Sequence, residues 1–134
     1  MTNSVGTPRI PATFRDGTSN TILFTEKYCE CSNNADGAGG SGWARQTPDP
    51  STYGAYFNYL GAHGLGGPTF APPFQVQPQF SGGCSYKYPS TPHSSGIQVG
   101  MADGSARNVA PNISPGTWWA ACTPASGEIL GDDW

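Results

Sequence analysis

Charge is scarce in this sequence. Only 11% of its 134 residues are Asp, Glu, Lys or Arg, and the formal net charge is −3. The six basic residues, Arg9, Arg15, Lys27, Arg45, Lys87 and Arg107, are scattered along the chain. Phosphate binding needs clustered cations, so no nucleic-acid partner is expected. Long apolar runs are also missing. No stretch approaches the ~20 residues of a membrane span, and the start has no charged-then-apolar signal segment. There is no P-loop, nucleophile elbow, paired zinc-ligand motif or His-Glu-x-x-His helix. The expectation is therefore a non-enzymatic protein without cofactor or metal.

What the chain has in abundance is glycine (19) and proline (13). Such a composition borders on low complexity. Yet 4 Trp, 6 Tyr and 6 Phe are spread along it, which a disordered tail would lack. The reading is one folded domain over 1–134. Its fold class is α+β, mostly β, with a small antiparallel sheet, one short helix and long irregular loops. Asp16-Gly17 marks a turn, and Thr21 to Tyr28 is β-branched and aromatic enough for a strand. Residues 32–42 hold nothing apolar larger than Ala and read as a flexible loop. Trp43, Tyr53, Tyr56, Phe57 and Tyr59 read as core, or else as a groove for a sugar or peptide. Residues 61–83 are rich in Gly and Pro and allow only a short strand near Phe74 to Gln77.

The four cysteines are Cys29, Cys31, Cys84 and Cys122. One Cys-x-Cys pair without a second is a poor zinc signature. In an oxidising compartment two bridges are expected. A Cys29–Cys31 bridge would be strained, so each of these two should reach Cys84 or Cys122.

The C-terminal third is the most regular. Ile97 to Ala102 and Ser105 to Ala110 flank Asp103-Gly104, the strongest short hairpin signal, with both turn residues expected at positive φ. Ser114 is a good N-cap and Pro115 suits the first helical position, so a helix is expected over Pro115 to Cys122. Trp118 and Trp119 point about 100° apart on it. One should be buried against Ile97, Val99 and Met101, and the other partly exposed or covered by the tail through Ile129 and Leu130. The segment after Pro124 reads as a final strand with an acidic end.

His93, nine intervening residues and Asp103-Gly104 resemble the signature of the prepilin-type processing-associated H-x(9)-D-G family. The segments "DGTSNTILFTEKY" at 16–28, "ADGSARNV" and "ISPGTWWAACTPASGEILGDDW" extend the likeness. Position 108 departs from it: an apolar residue is expected there, and this chain has Asn108. The resemblance implies an exported protein of the bacterial envelope or exterior, built like a type IV pilin or a type II secretion pseudopilin. It also implies a leader and a long apolar helix that these residues do not include, so the chain is expected to be the soluble C-terminal part. It would act through protein partners or self-assembly. A secreted module binding carbohydrate or another extracellular ligand is the alternative.

His93 and Asp103 suggest a joint site, but the spacing opposes one. An extended strand advances about 3.3 Å per residue, so Asp103 would lie on the order of 20 Å from the strand's start. Asp103 and Gly104 are expected to form the turn, and His93 to pack where the strand begins. A hydrolase would instead need His93 or His63 beside a carboxylate in a cleft. Ser19 and Ser94 show no accompanying base. Glu128, Asp132 and Asp133 offer hard oxygens for calcium, or simply a solvated acidic end.

Overall fold

The computed structural model describes residues 7, 9–33, 37–40, 73–85 and 88–134. Three strands form the central sheet: β1 (Ile22–Thr25), β6 (Ile97–Met101) and β7 (Ala106–Val109). Their order is β1-β6-β7, and both pairings are antiparallel. Two smaller pairs accompany it. β2 (Glu30–Asn33) and β3 (Gly37–Gly40) are antiparallel, and β4 (Gln75–Val76) lies parallel to β5 (Ser90–Thr91). Among the described residues one helix, α1 (Pro115–Cys122), completes the α+β, mostly β fold. Among the described residues no helix is long and apolar enough to cross a membrane.

Strand alternation sorts the sheet into two faces. Ile97, Val99 and Met101 of β6 are buried, and Gln98 between them is exposed. Ile22 and Val109 join the buried face from the flanking strands. Asn108 stands opposite Gln98 on the exposed face. A polar residue at 108 therefore costs little, because the inward residue of β7 is its neighbour Val109. A register shift between Ile22 and Phe24 lets Leu23 bulge and keeps Ile22 inward.

The helix closes the core. Its boundaries follow from local chemistry: the Ser114 hydroxyl accepts from the Thr117 amide at 3.2 Å, and Pro115 opens the first turn. Trp118 and Ala121 then face the sheet, joined by Phe74 and Ile113. The Phe74 and Trp118 rings sit 5.3 Å apart at 54°, a favourable tilted arrangement. Leu130 packs partly against this core, whereas Ile129 is 92% exposed.

The hairpin after β6 differs from the expected two-residue turn. The Gly104 amide donates to the Met101 carbonyl at 3.0 Å, and the Met101 amide to the Ser105 carbonyl at 2.9 Å. This is a three-residue loop in which only Gly104, at φ 86°, is left-handed. Asp103 keeps negative φ, because its carboxylate is used to hold the loop rather than to tolerate strain. Gly96, just before β6, has φ 129°, and a Cβ there would collide with the Val109 carbonyl oxygen.

Three further expectations are corrected. The loop assigned to 32–42 contains parts of β2 and β3, whose ladder needs only backbone groups and is anchored at Cys31. Cys31 is bonded to Cys84, with both residues buried and Cα atoms 5.3 Å apart. Instead of two bridges there is this one. Cys29 sits at a bend that leaves it exposed, and Cys122 ends the helix with its thiol against the core. Burial pushes the Cys122 thiol well above its usual range. Lastly, residues 123–134 form no strand. Their polar groups bond instead to Asp16, to the start and end of α1, and to each other. His63 and the aromatic segment from Trp43 to Leu60 lie outside the described residues.

Candidate functional site

His93 and Asp103 mark opposite ends of β6, and each is tied to the N-terminal block instead of to the other. At the first end, His93 Nε2 lies 3.3 Å from Glu26 Oε1, and the His93 side chain is 54% exposed. Glu26 Oε2 accepts from the Gln98 amide at 3.2 Å, which fixes the carboxylate at the sheet's edge. The His93 amide donates to the Thr91 hydroxyl at 3.1 Å, and this buried hydroxyl donates to the Gly96 carbonyl at 3.3 Å. At the other end, the Ala102 and Asp103 amides donate to the Thr21 and Thr18 carbonyls at 2.9 and 3.1 Å. Asp103 Oδ1 accepts from the Ser105 hydroxyl and amide at 2.6 and 2.9 Å. These bonds, led by the Ser105 hydroxyl, hold its carboxyl below the usual range. The spacing of His93 and Asp103 thus measures the strand that pairs with β1.

Glu26 was not visible as a partner of His93 from sequence. The one available signal was its position at the end of the 16–28 block. The pair supplies the carboxylate that the hydrolase condition asks for, on an imidazole that is more than half exposed. Ser19 and Ser94 are exposed, and neither hydroxyl bonds a histidine or carboxylate there. Lys27, next to Glu26, is largely desolvated, which lowers its amine to about 8.

The acidic residues serve the tail. Asp16 takes the Ser126 and Gly127 amides, one on each carboxylate oxygen, at 2.9 and 3.0 Å. Asp133 takes the Ser114 amide at 2.6 Å and the Thr117 hydroxyl in a very short bond. It thereby supplements Ser114 at the start of α1, where the helix dipole favours a carboxylate. Gly131 must be glycine, because a Cβ would strike the Thr117 hydroxyl. Trp134 lies under the Arg107 guanidinium, 4.4 Å from the ring centre. Among the described residues no group of three or more His, Cys, Asp or Glu could hold a metal ion. Asp133, considered above as a calcium ligand or a solvated end, is a helix clasp.

The clasp has a pH signature. The Thr117 hydroxyl, then the Ser114 amide, hold the Asp133 carboxyl below its ordinary 3.8. A depressed folded-state pKa stabilises fully above the unfolded value and ceases to stabilise as pH falls through the folded one. The stability gap between the wild type and Asp133→Asn should therefore shrink on acidification from about pH 6 to pH 2. Urea melts across that range would measure it. A gap that stays constant would remove the ionised clasp.

A shallow groove of about 570 Å³ runs between α1 and the tail. Trp119, Ala120, Glu128 and Ile129 line it, with Ser114 and Gly116 at its helix end.

No curated protein and no solved structure matches this chain. A family model does, that of "Protein of unknown function (DUF1559)", over residues 6–116. The match takes in the Asp16 block, both ends of β6 and the first two residues of α1, and the chain belongs to this family.

Proposed function

We propose that the chain is a pseudopilin-like structural domain of a bacterial envelope or secretion system. It works without catalysis, through protein–protein contact, outside the cytoplasm. The likeness of His93, Asp103 and Gly104 to the H-x(9)-D-G signature supports this reading. So does the buried Cys31–Cys84 bridge, since such bonds persist in oxidising compartments.

The observation that carries the reading is Phe24. It is 72% exposed on β1, an edge strand of the central sheet. Gly100 and Ala106 stand beside it in register, so the ring lies over a smooth apolar strip. An exposed aromatic on a strand that is outermost among the described residues is a natural contact for another chain. The carbohydrate reading would call for two or three aromatics in a row on this face. Among the described residues it carries Phe24 alone.

A photo-crosslinking side chain at position 24, in cells that export the full protein, tests the assignment. Adducts to an envelope protein or to a second copy should form at 24 and be sparse at the exposed control position Asn112. Equal yields at both positions would sink it.

A further inference from the structure

We propose that the groove between α1 and the C-terminal tail receives an arginine carried on an apolar segment of a protein partner. This rests on the assembly reading only in taking the occupant to be a protein. The groove has a floor and wall suited to such a side chain. Trp119 is half-buried and presents an aromatic surface, and Ile129 beside it is 92% exposed. Both are apolar groups left in water, and covering them is favourable.

Charge decides what else the occupant carries. Among the described residues Glu128 is the one ionisable group lining the groove. Its Oε2 lies 3.0 Å from the Thr123 hydroxyl, and no cation pairs with it among the described residues. Asp133, bonded to Ser114 and Thr117 at the groove's helix end, adds a second carboxylate to the neighbourhood. The helix start cannot turn the site toward anions, because Ser114 and Asp133 already satisfy it. A cation is thus the complement, and one next to an indole favours the guanidinium. The molecule already shows this arrangement where Arg107 covers Trp134 at 4.4 Å. The partner's arginine would lay its stem over Trp119 and Ile129 and place its guanidinium on Glu128.

The test uses the isotopically labelled 134-residue chain and an acetylated, amidated pentapeptide of alanine, leucine, arginine, leucine and alanine. Titration followed by NMR should move the Trp119 indole and the amides of 114–120 and 128–131. A peptide with glutamate replacing arginine should move none of them. Glu128→Gln should weaken binding about tenfold, equivalent to about 1.4 kcal/mol, and Trp119→Ala should weaken it at least as much. Glu128→Gln keeps an oxygen for Thr123, and unchanged amide dispersion will show that the fold survives. Equal shifts with the glutamate peptide, full affinity in Glu128→Gln, or shifts mapping elsewhere would overturn the proposal. So would displacement of these signals by cellotriose in place of the peptide. None of these outcomes bears on crosslinking at position 24, so the two readings fail separately.

Discussion

Trp118→Ala should lower the unfolding free energy by about 3–5 kcal/mol, and Trp119→Ala by less than about 1. The residues are adjacent and chemically identical, so the contrast isolates position. Trp118 is 5% exposed and packs among Ile97, Val99, Met101 and Val109, with Phe74 against its ring. Its removal leaves a cavity that the packed surroundings cannot fully fill. Trp119, about 100° round the helix, sits at the open groove and leaves no enclosed void when truncated. A domain of this size is stable by only about 5–15 kcal/mol, so the first variant approaches the threshold of folding. Denaturant melts with unchanged slope would read both effects. Equal, small losses at the two positions would mean that the helix does not present Trp118 to the sheet.

The second large effect is expected at the disulfide. Cys31 and Cys84 are 53 residues apart in sequence, and their bridge closes a loop through the whole middle of the chain. Chain-entropy arguments give about 4 kcal/mol for a loop of this length. The double variant Cys31→Ser, Cys84→Ser should lose about that much stability. The thiol inventory should be specific. The non-reduced protein has one bridge, so Cys29 and Cys122 alone should titrate after denaturation. Before denaturation only Cys29 should react, because Cys122 is buried and its thiolate is disfavoured. Four reactive thiols in denaturant, or none, would refute the pairing.

The sequence by itself determined the elements whose causes are local. Ser114 and Pro115 set the start of the helix, and it ends at Cys122, just before Thr123 and Pro124. Asp103-Gly104 between apolar runs marked the β6–β7 hairpin, and the alternation of Ile97, Val99 and Met101 marked its buried face. The geometry of an extended strand alone separated His93 from Asp103. The tertiary structure decided which partner each polar group took. His93 met Glu26, Asp16 met Ser126 and Gly127, and Asp133 met the helix start. Each such pair joins residues far apart in sequence, and a carboxylate carries no local mark of the amide it will accept. The tail lost its expected strand in the same way, since its Ser126 and Gly127 amides found the Asp16 carboxylate rather than a sheet edge. The turn took three residues instead of two because its amides also had to reach Thr18 and Thr21. The choice between Cys29 and Cys31, and between Trp118 and Trp119, was likewise tertiary. Spacing names two candidates, and only the packed core shows which one it encloses.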